Sequence, residues 1–180
     1  LLGTRLIFAR NTQFGVESHY GALEEVTVSG QPILTDQIPL AERFFAGGSD
    51  SIRAFSLNQA GPRDPATGYP IGGNALFANS FELRMRFRGG RYGLVLFNDA
   101  GNVFSSVQEM HLLKFTQPSL PDLNYMVEAV GVGLRYETPV GPIRLDLSYV
   151  PNPPQFQFTQ PPEVQTLPRF QYFISIGQSF

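Results

Sequence analysis

The sequence predicts an all-β fold, and three of its features support that prediction. It contains 16 Phe and 7 Tyr among 180 residues, and aromatic side chains are enriched in strands. Its 18 Gly and 15 Pro suit short strands separated by turns better than they suit helices. Six segments also alternate apolar and polar residues with a period of two, which is the pattern of strands with one apolar face.

We place the six strands at about residues 2–10, 75–88, 91–104, 126–138, 142–150 and 170–180. The last of them is the clearest, because Phe170, Tyr172 and Ile174 alternate with polar residues. The same alternation puts Glu82 on the face of its strand that is opposite the apolar one, and it puts Asp99 on one face of its strand together with Val95, Phe97 and Gly101. A soluble β-sandwich and a transmembrane barrel would both show such faces, so the alternation alone leaves the two open.

The connections between the predicted strands alternate in length. Long ones fall near residues 11–74, 105–125 and 151–169, and short ones fall at 89–90 and 139–142. Transmembrane barrels have short turns at one end and long loops at the other. This alternation favours an antiparallel transmembrane β-barrel, and a soluble β-sheet binding module is the alternative. The sequence contains no run of about 18 apolar residues, so it offers no candidate for a membrane-spanning helix.

Several classes of function have no support in the composition. The net charge of −2 and the lack of a Lys/Arg-rich run argue against nucleic acid as a partner. There is no Cys, and His19 and His111 stand alone, so we expect no catalytic residue, no metal and no cofactor. The glycine pairs at 47–48 and 72–73 lack the spacing of a phosphate-binding loop. The sequence therefore predicts a protein that is not an enzyme.

Residues 42–55, ERFFAGGSDSIRAF, resemble the signature loop of the BamA/TamA superfamily, the bacterial surface antigen family of outer-membrane assembly and translocation barrels. The segments 71–75, 97–103 and 131–146 extend the resemblance in the order that the family has them. It covers nearly the whole chain. The resemblance implies about six C-terminal strands of a barrel of about sixteen, located in the bacterial outer membrane. Six such strands cannot close a barrel, so two edges should be unpaired.

The resemblance also implies a latch between the long loop and the barrel wall. In the family the loop folds into the lumen, where its arginine meets acidic residues; here the arginine is Arg53 and the expected partners are Glu82 and Asp99. In a water-poor lumen the loss of one partner would cost about 3–5 kcal/mol, whereas a solvated pair would be worth about 0–1 kcal/mol. The other residues of the loop motif are Phe45, Gly47, Gly48, Ser51, Ile52 and Phe55, and the glycines that start the next strand are Gly72 and Gly73.

One position departs from the family pattern, because Ala54 stands where glycine is usual. Alanine weakens any requirement there for a positive φ angle or for very close backbone approach. Its side chain is small, so we still expect the loop to dock.

The end of the chain resembles the β-signal by which outer-membrane proteins are recognised for insertion. The residues that carry it are Phe170, Tyr172, Phe173, Ile174, Ile176, Gly177 and Phe180. Alternating aromatic residues suit a strand that faces lipid, with its last ring at the membrane interface. An ordinary edge strand of a soluble sheet is the alternative.

The function that the resemblance implies is assembly, insertion or translocation of other polypeptides without covalent chemistry. The implied partners are outer-membrane lipid, unfolded outer-membrane or secreted clients, the remaining barrel strands, and the periplasmic POTRA domains of the parent chain. The lack of an initiator Met and of a signal peptide makes us expect a mature or excised piece. A two-partner-secretion-type channel or passive pore, plugged by the Arg53 loop, is the alternative function.

Overall fold

The structure is a computed structural model that describes residues 5–21, 24–28, 31–35, 38–87, 89, 91–139, 141–159 and 162–177. No helix that could cross a membrane occurs in these ranges. The strands, in chain order, are β1 (Arg5–Val16), β2 (Glu24–Val28), β3 (Gln31–Thr35), β4 (Ala75–Arg86), β5 (Tyr92–Phe104), β6 (Val127–Tyr136), β7 (Ile143–Tyr149), β8 (Gln155–Thr159), β9 (Pro162–Thr166) and β10 (Phe170–Ile176).

Six of the strands form one sheet in the order β1-β4-β5-β6-β7-β10, and every neighbouring pair is antiparallel. The prediction of an all-β, antiparallel fold is therefore confirmed. Among the described residues this sheet is open, with β1 and β10 as its two edges. Two separate hairpins, β2–β3 and β8–β9, lie within the first and last long connections.

The short connections both lie at one end of the sheet, and the long ones lie at the other. The connections from β4 to β5 and from β6 to β7 are short, whereas those from β1 to β4, from β5 to β6 and from β7 to β10 are long. This arrangement follows from the antiparallel pairing, because a chain that turns back after each strand visits the two ends alternately. We refer to these ends as the short-turn end and the long-loop end.

The structure corrects the first predicted boundary, because β1 continues to Val16 instead of ending near residue 10. Asn11, Thr12 and Gln13 interrupt the apolar alternation, yet their backbones pair in register with β4. Thr12 also donates a side-chain hydrogen bond of 2.9 Å across to Asn79. The ladder thus extends through a polar stretch that periodicity alone reads as a loop. The predicted strand residues 2–4 and the terminal Phe180 lie outside the described residues.

The two faces of the sheet differ in what covers them. We call the face that the loop of residues 38–74 packs against the inner face, and the opposite one the outer face. The main apolar cluster lies between that loop and the inner face; its buried members are Ala46, Ile52, Ala54, Phe55, Ala60, Ala78, Val103, Tyr125, Val127, Ala129 and Val150. The outer face exposes apolar side chains such as Phe8, Leu134 and Tyr172. This inverted arrangement, apolar outward and charged inward, suits a strand wall with lipid outside.

Candidate functional site

The loop reaches the inner face as a tight turn that its own backbone closes. The amide of Gly48 donates to the carbonyl of Phe55 at 2.9 Å, and the amide of Phe55 donates to the carbonyl of Ile52 at 3.1 Å. Ala60 donates to the carbonyl of Ala46 at 3.0 Å, which joins the two ends of the turn. Ile52 and Phe55 are buried on either side of Arg53, so Arg53 is held at the centre of the contact with the sheet.

Gly47 allows this turn, and we expect its replacement to destabilise the protein. Its φ angle is +117°, and an added Cβ would meet the carbonyl oxygen of Ser56. We expect Gly47→Ala to lower the free energy of unfolding by about 1–3 kcal/mol, because the backbone would have to leave a conformation that the turn requires.

Thermal unfolding of the full-length protein in detergent measures this effect, and Gly21→Ala is the matched control. Gly21 also has a positive φ, of +118°, but nothing lies within 4 Å of its added Cβ. The control variant therefore measures only the cost of placing alanine at a positive φ angle, without the contact with Ser56. Equal losses for the two variants would show that the contact with Ser56 does not matter.

Asp99 on β5 is the main partner of Arg53. The Nε atom of Arg53 donates to Oδ2 of Asp99 at 2.7 Å, and its Nη2 atom donates to Oδ1 at 2.8 Å. The backbone amide of Arg53 also donates to Oδ2, at 3.1 Å. The two side chains are 3% and 1% exposed, so this two-point contact is fully removed from water. Such a paired geometry is the strongest arrangement that arginine and a carboxylate can form.

Two further carboxylates approach the remaining nitrogen of Arg53. Its Nη1 atom lies 2.9 Å from Oε1 of Glu82 on β4 and 3.6 Å from Oδ2 of Asp146 on β7. Nη1 has no partner with the geometry of a hydrogen bond, so we interpret both contacts as ion pairs. Glu82 is also bound by Nε of Arg84 at 2.8 Å, and Asp146 is bound by Nη1 of Arg135 at 2.6 Å. The two carboxylates therefore share their charge with other cations.

Uncharged side chains complete the surroundings of Arg53. Its guanidinium carbon lies 3.5 Å from the ring centroid of Phe97, at cation–π distance. The Oγ of Ser80 accepts from Nη2 of Arg53 at 3.1 Å and donates to Asp99 at 2.6 Å. On β7, the hydroxyl of Ser148 donates to the carbonyl of Arg53 at 2.6 Å. Both the side chain and the backbone of Arg53 are thus held by the wall.

The electrostatic balance keeps Arg53 charged in spite of its burial. Burial by itself disfavours the charged guanidinium, but the hydrogen bond to Asp99 and the charges of Asp99, Glu82 and Asp146 outweigh it. The pKa of Arg53 is therefore raised above its ordinary value. A weaker contact lies nearby, where Nη1 of Arg144 is 3.1 Å from the largely exposed Asp50 of the loop.

The structure brings Arg53, Glu82 and Asp99 into contact, as described above. Gly72 and Gly73 lie beside the start of the loop, where Phe44 and Gly73 exchange two backbone hydrogen bonds of 2.9 and 3.1 Å. The remaining residues of the predicted loop motif surround the turn: Phe45, Gly47, Gly48, Ser51, Ile52 and Phe55.

The predicted terminal signal occupies β10, at an edge of the sheet. Four of its side chains are exposed on the outer face: Phe170, Tyr172, Ile174 and Ile176. Phe173 has the opposite parity and points to the inner side, opposite Asp146 in the register. Gly177 follows the strand with a φ of +109°, and Phe180 lies outside the described residues.

Four residues of the site were not predicted: Ser80, Phe97, Asp146 and Ser148. Alternation put Asp146 and Ser148 on the polar face of their strand, but nothing in the sequence connected that strand with residue 53. Phe97 could have been found from its position two residues before Asp99, which puts both on the same face. Among the described residues, no group of three or more acidic or histidine side chains is placed to hold a metal ion.

Together, the fold and this site define a class of protein: an antiparallel transmembrane β-sheet that forms part of a barrel wall, with a long loop docked on its inner face. The sequence profile of the Omp85 superfamily domain matches residues 2–180. The chain belongs to the Omp85 superfamily, and its place is the bacterial outer membrane. The resemblance to outer-membrane assembly barrels noted from the sequence is thereby confirmed.

Individual relatives agree with this assignment. Outer membrane protein assembly factor BamA of Nitratidesulfovibrio vulgaris is 31% identical over 110 residues, which are 59% of this chain and 12% of that protein. The crystal structure of BamA from Haemophilus ducreyi lacking POTRA domains 1-3 matches with a TM-score of 0.56 at 18% identity. That match covers 95% of this chain and 32% of the other chain, and it supports the barrel fold. The chain therefore spans only a small part of either relative.

Proposed function

We propose that this chain is the C-terminal part of a barrel that assembles, inserts or translocates other polypeptides in the outer membrane, without covalent chemistry. The observation that carries the proposal is the loop anchored to the inner wall through Arg53. The remaining barrel strands, the POTRA domains, membrane lipid and unfolded client polypeptides are its proposed partners. The named relative, an outer membrane protein assembly factor, supports this choice of function.

The anchored loop links β4 and β5 with β7, which is not a neighbour of either strand in the sheet. Arg53 contacts Asp99 of β5, Glu82 of β4 and Asp146 of β7 through buried ion pairs. The contact of the loop with β10 is weaker, because it is an exposed hydrogen bond of 3.3 Å from the hydroxyl of Ser56 to Gln171. Contacts of this kind between one loop and several strands resist changes in the curvature of the sheet. We propose that the latch holds β4, β5 and β7 in one arrangement while the edge strand β10 remains able to open.

The edge at β10 supports the second half of the proposal. Within the described residues, β7 is the only neighbour of β10 in the sheet, so one side of its backbone is unpaired. A free strand edge can add the strand of another polypeptide through main-chain hydrogen bonds. Its exposed apolar side chains would meet lipid at the same place. A client strand could therefore enter the sheet where its apolar face is already beside the membrane.

The test replaces Arg53 by alanine in the full-length protein and measures the folding of client barrels in cells that depend on it. We expect assembly to fall strongly, because removing one partner of a buried ion cluster costs about 3–5 kcal/mol and releases the loop. Arg91→Ala is the matched control, because Arg91 is exposed in the short turn between β4 and β5. Membrane levels of both variants must be compared, so that a failure to fold is not counted as loss of function.

The alternative of a secretion channel or passive pore gives a different result. In that case the loop acts as a plug, and Arg53→Ala raises ion conductance in a planar bilayer while client assembly is unchanged. Normal assembly by the Arg53→Ala protein, at normal membrane levels, would contradict the proposed role of the latch.

A further inference from the structure

A polar cluster interrupts the outer face of β1 and β4. The Nε of Arg10 donates to Oδ1 of Asn79 at 2.9 Å, and the hydroxyl of Thr12 donates to the same oxygen at 2.9 Å. The guanidinium carbon of Arg10 lies 5.1 Å from the ring centroid of Phe81. The parity of the ladder puts Arg10 and Thr12 on the same side of β1 as Phe8, which is 67% exposed. These residues therefore belong to the face that meets lipid.

The charge of Arg10 has no acidic partner within the described part of the chain. No carboxylate there lies within the 4.0 Å of an ion pair with it, and its Nη1 and Nη2 atoms have no hydrogen bond. Glu128 also lies on the outer face, but it is bound by Asn98 at 2.6 Å and stands three strands away. At about 4.8 Å between strands, that separation is about 14 Å, which is too far for pairing.

The height of Arg10 on the wall indicates what it can reach. Its register row passes through Phe81 to Asn98 of β5, six residues from the aromatic pair Tyr92 and Tyr136 at the short-turn end. Six residues span about 20 Å of strand, or about 15 Å of height at the usual tilt, in an apolar band about 25 Å tall. Arg10 thus stands in the upper part of the band, and arginine extends its head toward the headgroups from such a depth.

We propose that Arg10, held in place by Asn79 and Thr12, binds the phosphate of an anionic lipid in the leaflet beside the long loops. This proposal shares one requirement with the proposed function, namely that the outer face lies in a membrane. Asn79 occupies only Nε and fixes the direction of the guanidinium. The two remaining nitrogens can then donate in parallel to two phosphate oxygens, a geometry that arginine offers and lysine does not.

The experiment uses the full-length protein in lipid nanodiscs of equal parts phosphatidylcholine and phosphatidylglycerol. Native mass spectrometry then counts the lipids of each kind that stay bound after extraction. We expect the wild-type protein to retain phosphatidylglycerol preferentially, and Arg10→Gln to lower that retention about fivefold, because one cation near the membrane surface contributes about 1 kcal/mol. Arg10→Lys should fall between the two, because it keeps the charge and loses the paired donors.

Arg5→Gln is the matched control, because it removes the same charge from the same strand on the inner side, opposite Arg86 in the register. We expect it to retain lipid as the wild-type protein does. If Arg10→Gln fails to fold, Asn79→Ala tests the same site by releasing Nε, and it should also lower retention.

Three results would overturn the proposal. Equal retention by the wild type and Arg10→Gln would show that Arg10 does not select the lipid. Release of phosphatidylglycerol by excess inorganic phosphate would identify a site for free phosphate instead. If Arg10→Gln lowers the stability of the protein in discs of phosphatidylcholine alone as much as it does in the mixed discs, the partner of Arg10 is a carboxylate of a neighbouring strand or protein and not a lipid. Client assembly by the wild type tests the proposed function separately, so either idea can fail without the other.

Discussion

Asp99→Asn is expected to lower the free energy of unfolding of the full-length protein by about 3–5 kcal/mol, which is the cost of removing the main partner of a buried charge. Asp99 accepts hydrogen bonds from three nitrogens of Arg53 and from Ser80, and its side chain is 1% exposed. An asparagine of the same shape carries no charge and turns one donor toward the guanidinium. The measurement is thermal or denaturant unfolding in detergent micelles.

Asp99 and Glu82 should differ in this measurement, although both contact Arg53. Glu82 makes one contact with Arg53 and is also bound by Arg84, so we expect Glu82→Gln to cost about 1–3 kcal/mol. Glu109→Gln is the control, because Glu109 is exposed in the loop between β5 and β6 and its loss should stay within about 0.5 kcal/mol. If Asp99→Asn unfolds as the wild type does, the buried ion cluster does not stabilise the barrel.

Gly131→Ala is expected to lower the free energy of unfolding by about 1–3 kcal/mol, because it disturbs the ring of Phe97 on which Arg53 rests. A Cβ at Gly131 would meet both the ring of Phe97 and the carbonyl oxygen of Leu147 on the paired strand. The ring must move from beneath the guanidinium, or the ladder between β6 and β7 must shift. Either change disturbs the latch from a position that makes no contact with Arg53 itself.

Gly93→Ala separates this effect from the general effect of adding a methyl group to a strand. Gly93 has the same inner-face parity, and the nearest atom to its added Cβ is a carbonyl oxygen of Met85 at 3.3 Å. We expect a smaller loss there than at Gly131, where the added Cβ comes much closer to its neighbours. The pair Gly131→Ala and Phe97→Leu should show a coupling of about 0.5 kcal/mol or more in a double-mutant cycle, since the smaller side chain relieves part of the clash. Strict additivity would mean that the ring is not what Gly131 accommodates.

The proposed latch and the proposed lipid site use arginine in opposite environments. Arg53 is buried among three carboxylates of the inner wall, whereas Arg10 is exposed among apolar side chains of the outer wall. Arg53 has three acidic neighbours, and its pKa is raised. Arg10 has none within ion-pair distance among the described residues. We therefore look for the partner of Arg10 outside the polypeptide.

Much of the fold could be predicted because the alternation of apolar and polar residues and the positions of turn-forming residues are local properties of the sequence. A period of two identifies strands, and the length of a connection shows whether it can be a tight turn. The strand faces of Glu82 and Asp99 followed from the same rule. The end of β1 could not be predicted in this way, because Asn11, Thr12 and Gln13 break the alternation while their backbones continue the ladder.

The hairpins inside the long connections could not be predicted from short windows of the sequence either. β2, β3, β8 and β9 are strands of five residues each, and β8 also has partners in the first long connection. The amide of Thr159 at the end of β8 donates to the carbonyl of Pro65 at 3.0 Å, and the ring of Phe156 lies under Arg63 at 4.7 Å. Such partners are far apart in the chain, so no window of sequence contains both.

By itself, the sequence determined that this protein is an antiparallel β-sheet with one apolar and one polar face, and its motif residues determined the family. Only the tertiary structure decided that Asp146, Phe97 and Ser148 join Arg53, and that Arg10 on the outer face has no carboxylate within ion-pair distance in the described part of the chain. The reason is physical. Parity assigns each side chain to a face, but register and loop docking decide which of the many residues on that face come within 4 Å of one another.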